Sequence, residues 1–200
     1  TATDGTNSTT QSITVNVTDV DDVAPVFSSS ATFSAAENQT AIGTVTATDG
    51  DASDSVTFTV SGSELSITSD GVLSFASAPD YETKTSYTAT VTASDGTNLT
   101  TQAIVVSVSD VDEAPIMGVL SYTVEENQTT IGSVVATDPE GEVVSLSVSG
   151  SELLITSDGV LSFASAPDYE TKSSYTATVT ATDGTNSTDQ SVTVTVTDVD

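Results

Sequence analysis

The chain has 200 residues, with 29 acids against two lysines and no histidine, for a formal net charge of −27. Cysteine and tryptophan are absent, and the hydrophobic share of 36% lies below the usual globular share of about 45–50%. Without His or Cys there is no imidazole base, no thiolate nucleophile and no nitrogen–sulfur zinc site.

Two cations cannot neutralise a run of phosphates, so nucleic acid and anionic lipid surfaces are excluded as partners. The longest aliphatic run is three residues, as in Ile104-Val105-Val106. A bilayer span needs about 20, so no membrane insertion is expected. The chain opens on Thr1 with no charged-then-apolar leader, which reads as a fragment of a larger exported protein. Low hydrophobicity with high charge is also the signature of disorder. The periodicity argues against it.

The chain repeats itself. Residues 1–20 carry TATDGTNST, which returns at 180–188 and, slightly changed, at 92–100. They read as the C-terminal strand region of a preceding repeat. Two complete units follow, 21–110 and 111–200. SDGVLSFASAPDYETK at 69–84 recurs unchanged at 157–172, and the Asp that opens each DVD stands at Asp19, Asp110 and Asp198. A period near 90 residues is too long for a solenoid and suits a small independent domain.

In the first unit, strands are expected over 26–35, 41–48, 55–61, 64–68, 71–76, 85–94 and 99–109, with counterparts in the second. The alternation Tyr87, Ala89, Val91 against Ser86, Thr88, Thr90 gives one apolar and one polar face. Thr and Val are both β-branched, so sheets form despite few large side chains. Asp-Gly at 49, 70, 95, 158 and 183 and Ser-Gly at 61 and 149 punctuate the strands. Seven short strands in about 90 residues have the size of an Ig-like two-sheet sandwich.

The acids cluster in loops, at matching places in both units. The first unit has Glu37, Asp49, Asp51, Asp80, Glu82, Asp95, Asp110, Asp112 and Glu113. The second has Glu126, Asp138, Glu140, Asp168, Glu170, Asp183, Asp198 and Asp200. Asp4, Asp19, Asp21 and Asp22 bring these to 21 of the 29. Like charges crowded at strand ends are unfavourable unless a cation joins them, and six to eight hard oxygens suit Ca²⁺. Asp54, Glu64, Asp70, Glu125, Glu142, Glu152, Asp158 and Asp189 read as solvated surface.

The order AEN or EEN, A-x-D-x-D/E, PDYE, A-x-D-G and D-x-D-D/E…A-P resembles that of cadherin repeats, over both complete units and residues 1–22. The resemblance implies an all-β fold of tandem seven-stranded Greek-key Ig-like sandwiches, with up to three Ca²⁺ ions at each interdomain junction. At the junction of the two whole units, Glu37, Asp80 and Glu82 match the base ligands. Glu113 matches the shared linker Asp and Asp112 the linker Asn, with the Val111 carbonyl helping. Asp138, Glu140 and Asp183 match ligands of the following domain. Asp21, Asp22, Asp49, Asp51 and Asp95 match half of an upstream junction, and Glu126, Asp168, Glu170 and Asp200 half of a downstream one.

Three features depart from the family pattern. DVDEAP is one residue short, Val23 stands where Asn is expected, and Asp138-Pro139-Glu140 replaces DxD. They leave the outermost ion open to alteration or loss.

Other readings weigh less. Asp168 with Glu170 could suggest an acid/base pair, but the pair recurs beside Lys84 and Lys172 with no aromatic cleft. Each Lys is expected to form a local ion pair, and Tyr81 and Tyr169 to pack. Thr rows suit ice or glycan binding or O-glycosylation, and six Asn-x-Ser/Thr triplets occur (Asn7, Asn16, Asn38, Asn98, Asn127, Asn186). The expected function is a calcium-rigidified extender segment of a non-enzymatic cell-surface adhesin, partnered by neighbouring repeats. The alternatives are an adhesion module for like domains or surface glycans, and a filament subunit.

Overall fold

The computed structural model describes residues 1–200 except Asp19 and residues 52–54, so the readings for Asp19 and Asp54 lie outside the described residues. Contacts divide the chain into two compact units, Thr1–Ser109 and Asp110–Asp200. No helix long and apolar enough to cross a membrane is present among the described residues.

Two short strands, β1 (Ala2–Thr3) and β2 (Ser8–Thr9), pair with each other at the start of the first unit. The body of that unit contains β3 (Val26–Phe27), β4 (Thr32–Ala36), β5 (Ala41–Thr44), β6 (Ala47–Thr48) and β7 (Thr57–Val60). It continues with β8 (Leu65–Ile67), β9 (Val72–Phe75), β10 (Ser86–Ser94) and β11 (Leu99–Ser109). One sheet runs β4-β11-β10-β7, a second runs β5-β9-β8, and β3 pairs with β6. β4 lies parallel to β11, with Phe33 opposite Val106, while β10 and β11 are antiparallel.

The second unit repeats this order with β12 (Ile116–Met117), β13 (Leu120–Glu125), β14 (Thr130–Ser133), β15 (Ala136–Thr137) and β16 (Ser145–Val148). Then follow β17 (Leu153–Ile155), β18 (Val160–Phe163), β19 (Ser174–Thr182) and β20 (Ser187–Thr197). Its sheets are β13-β20-β19-β16, β14-β18-β17 and β12-β15. Each unit is therefore an all-β, Ig-like sandwich.

Two of the strands expected from sequence are each broken in two. The stretch 26–35 splits into β3 and β4, and 41–48 into β5 and β6. The break is held by backbone bonds that leave the ladder. Ser28 and Ser29 N–H both donate to Thr46 O, while Val45 N–H donates to Gly71 O. Gly71 has a φ of +86°, and a Cβ there would come within 2.2 Å of Val45 O. The Asp70-Gly71 turn can approach the broken strand only because residue 71 has no side chain.

The alternation on β10 and β11 buries Val91, Ala93, Ile104, Val106 and Val108 against Leu65, Leu73 and Phe75. The second core is built from Leu153, Leu161, Phe163, Val179, Val192, Val194 and Val196. Burying each Val or Leu contributes about 1.5–3 kcal/mol, enough for a small core when β-branched Thr fills the outer rows. Tyr87 and Tyr175 pack edge-on against Phe75 and Phe163, with ring centroids 5.0 and 4.9 Å apart.

Candidate metal centre

In each unit the acids gather at the two ends of one long strand. At the end of β4 the chain turns through Asn38, whose φ is +61°. Asn tolerates this left-handed conformation better than most residues. Asn38 N–H donates to Pro79 O, and Glu37 N–H donates to Ser109 O at the end of β11. The turn drives the Glu37 side chain inward, where it is buried and its Oε2 accepts Tyr81 N–H at 2.6 Å. Carboxylate oxygens of Glu37, Asp80 and Glu82 then lie within 4.8 Å of one another. Asp80 is fixed by Thr83, whose N–H and Oγ1–H donate to its two oxygens at 3.0 and 2.9 Å.

The second unit builds the same cluster from Glu126, Asp168 and Glu170, also within 4.8 Å. Asn127 again has a φ of +61°. Glu126 is buried and accepts Tyr169 N–H and Val199 N–H, each at 3.1 Å.

The other end begins with the turn that feeds β11. Asp95 Oδ1 accepts Thr97 and Asn98 N–H at 2.7 and 2.6 Å. These bonds, with Asn98 the leading cause, hold its carboxyl below the usual range. Asn98 Nδ2 donates to Asp21 Oδ1 at 2.9 Å. Asp51 Oδ2 accepts Asp22 and Val23 N–H, both at 3.1 Å, and Asp51 N–H donates to Asp49 Oδ1 at 2.9 Å. The Oδ2 atoms of Asp49 and Asp95 are buried with no hydrogen-bond partner.

The second unit repeats the arrangement. Asp183 Oδ1 accepts Asn186 N–H at 2.7 Å, Asn186 Nδ2 donates to Asp112 O at 2.9 Å, and Asp138 Oδ1 accepts Glu140 N–H at 3.1 Å. Oδ2 of Asp138, Oδ2 of Asp183 and both carboxylate oxygens of Glu140 are again buried and unpartnered. A buried carboxylate oxygen without a donor is costly, and the cost recurs at matching positions. Glu140 is pushed up to about 7, first by the adjoining Glu113 carboxyl, with which it would share a proton, and then by partial desolvation.

Asp112, Asp183 and Glu142 also lie within 4.8 Å of one another. The Glu142 carboxyl is raised, Asp112 being the largest cause, then desolvation, Asp138, Asp183 and Asp110. Glu142, expected from sequence to be a solvated acid, is exposed, and it also joins this cluster. It stands two residues beyond the A-x-D-x-E motif, and its position depends on the Asp138–Glu142 turn, in which Asp138 O accepts Gly141 N–H. Val111 and Asp200 are exposed.

The lysines also differ from expectation. They pair with acids twenty residues back instead of their sequence neighbours. Lys84 pairs with Glu64, and Lys172 with Glu152 at 2.6 Å. Each ammonium also sits over a ring, 4.2 Å from the Tyr87 centroid and 4.4 Å from that of Tyr175. Tyr81 packs on its core, whereas Tyr169 is exposed.

All-carboxylate clusters with unpaired buried oxygens fit a hard, oxygen-seeking cation such as Ca²⁺, and offer nothing to a soft metal. The fold and these clusters define a tandem of Ig-like sandwiches with acidic strand ends. The chain belongs to the bacterial Ig domain family, whose model matches residues 21–108 and 112–197.

Over 195 residues the chain is 33% identical to human cadherin EGF LAG seven-pass G-type receptor 2, covering 86% of this chain and 7% of that protein. It is 35% identical over 124 residues to chitinase A of Pseudoalteromonas piscicida, covering 60% of this chain and 15% of the other. The chain thus spans a small part of these curated relatives. Among solved structures, human protocadherin-24 EC1-2 (form II) matches with a TM-score of 0.59 at 23% identity, covering 90% of this chain and 99% of that one. Mouse cadherin-23 EC22-24 matches with a TM-score of 0.51 at 24% identity, covering 91% and 67%. These likenesses concern the fold.

Proposed function

We propose that the chain is a calcium-binding, calcium-rigidified extender segment of a large exported surface protein, with no catalytic role of its own. The observation that carries this reading is the repeated set of carboxylates. Each unit presents Glu37, Asp80 and Glu82, or Glu126, Asp168 and Glu170, at one end of its long strand. At the other end buried carboxylate oxygens lack any protein donor. The cation supplies the missing charge, and the turns at Asn38, Asp95, Asn127 and Asp183 hold the ligands before it arrives.

In this reading the ligands are Glu37, Asp80 and Glu82, then Asp112, Glu113, Asp138, Glu140, Glu142 and Asp183, with the Val111 carbonyl. Asp21, Asp22, Asp49, Asp51, Asp95, Glu126, Asp168, Glu170 and Asp200 serve ions shared with further repeats. Residues 21–110 and 111–200 act as one repeat each. That similar segments make up small parts of a seven-pass receptor and a chitinase supports a module of distance over a specific chemistry. Exported domains without disulfides gain from such a metal staple.

The test is thermal unfolding of the whole chain in chelator and in rising calcium. At a hundred times its dissociation constant, each ion adds about 2.7 kcal/mol, a rise of roughly 4–8 °C for a domain of 60–100 residues. Magnesium at equal concentration raises the midpoint much less. A midpoint indifferent to calcium overturns the reading.

A further inference from the structure

The chain's two lysines, Lys84 and Lys172, stand at the same place in each unit, and no arginine or histidine accompanies them. Each closes the turn that carries two of the base carboxylates. Lys84 N–H donates to Asp80 O and Lys172 N–H to Asp168 O, both at 2.9 Å. The side chain then leaves the turn. The Lys84 ammonium donates to Glu64 Oε1, and that of Lys172 to both carboxylate oxygens of Glu152, at 2.6 and 2.7 Å. Glu64 and Glu152 stand immediately before β8 and β17, and their carbonyls accept Ala76 and Ala164 N–H at 2.9 and 2.8 Å. Each ammonium also rests over a tyrosine ring, Tyr87 or Tyr175, which packs edge-on against Phe75 or Phe163 of the core.

The near side of the turn is held from the Glu37 side of the fold. Glu37 takes Tyr81 N–H, and Asn38 N–H donates to Pro79 O. Thr83 bonds back to Asp80, within the turn itself. The lysine side chain fastens the far side, beyond Glu82, to the start of β8 and to β10.

We propose that Lys84 and Lys172 are positioning residues for the cation sites, holding Asp80–Glu82 and Asp168–Glu170 in ligand geometry while touching no ion themselves. This rests on the calcium reading above. Two effects of each lysine oppose one another. An ammonium near a site repels a divalent cation, so by Coulomb's law alone its removal tightens binding. Here each ammonium is paired with a carboxylate, and the lysine side chains are 39% and 41% exposed, so the repulsion is offset by Glu64 or Glu152 and screened by water. The fastening is not weakened in the same way. A loosened turn leaves the ion to order the ligands itself, against backbone entropy. Supports outside the ligand shell change metal affinity by about 10–100-fold, and side chains this exposed belong at the lower end.

The test compares full-length Lys84→Met/Lys172→Met with Lys84→Arg/Lys172→Arg. Met keeps the stem over the tyrosine and loses the charge, whereas Arg can keep both the ion pair and the ring contact. Calcium titration by calorimetry should show about tenfold weaker binding for the Met variant and near-parent binding for the Arg variant. In chelator, the amides of Tyr81, Thr83, Tyr169 and Thr171 should exchange hydrogen faster in the Met variant, while those of β11 and β20 keep their parent rates. Calcium binding that is unchanged or tighter in the Met variant overturns the proposal, as does an Arg variant as weak as the Met one. Exchange that quickens equally throughout β11 and β20 also overturns it, since the lysines would then act on overall stability. A parent chain that binds no calcium overturns the calcium reading and this proposal together, whereas a binding parent with an unaltered Met variant removes the lysine role alone.

Discussion

Glu37 Oε2 accepts the backbone N–H of Tyr81 at 2.6 Å, across 44 positions of sequence. The same carboxylate lies within the Glu37–Asp80–Glu82 cluster. One buried side chain therefore closes the PDYE turn and contributes charge to the candidate cation site.

Replacing Glu37 by Ala leaves Tyr81 N–H without its acceptor inside the protein. The expected cost is about 1–3 kcal/mol, and it should be measurable by denaturant unfolding in chelator. Glu37→Gln keeps an acceptor oxygen and should cost less in chelator while still weakening calcium binding. Equal losses for the two variants in chelator would contradict this division of roles.

Glu82 and Glu142 are exposed acids whose value lies in the cluster they join. Glu82→Gln and Glu142→Gln should leave unfolding in chelator within about 0.5 kcal/mol of the parent. Both should lower the stabilisation gained from calcium, read as the midpoint shift between chelator and saturating calcium. Glu125→Gln, on the solvated side of β13, should change neither.

Protons and calcium should compete at the Asp138–Glu142 turn. The Glu140 carboxyl is raised from 4.5 to about 7, so the folded chain binds a proton there that the unfolded chain releases. Without metal, this group's contribution to stability is present below pH 4.5 and is lost as pH rises through 7. Glu142 shifts in the same direction. The lowered carboxyls of Asp4 and Asp95 act oppositely, but only as pH falls below 3.8. Calcium affinity, followed by titration calorimetry, should therefore weaken as pH falls from 8 to 6. Glu140→Gln should flatten that dependence.

Gly71→Ala should destabilise the first unit by more than about 1 kcal/mol, since φ is +86° and the added Cβ meets Val45 O at 2.2 Å. Gly159→Ala should do the same in the second, where the distance to Val134 O is 2.3 Å. Gly62→Ala, with a positive φ but nothing within 4 Å, should cost less. Calorimetric melting separates strain with a clash from strain alone.

The sequence by itself determined the repeat and the all-β fold. Alternation in 86–94 and 99–109 is a local property, and it predicts β10 and β11 to within a residue. The acidic motifs were legible because each is a short loop whose spacing is fixed along the chain. Only the tertiary structure decided that 26–35 and 41–48 break in two, because the break rests on the bonds that Thr46 and Gly71 offer from elsewhere in the fold.

It alone drew Lys84 and Lys172 to acids twenty residues away and Glu142 into a cluster with Asp112 and Asp183. Periodicity states which face of a strand is apolar. Whether that face is buried depends on partner strands, and no local pattern in the strand itself specifies them.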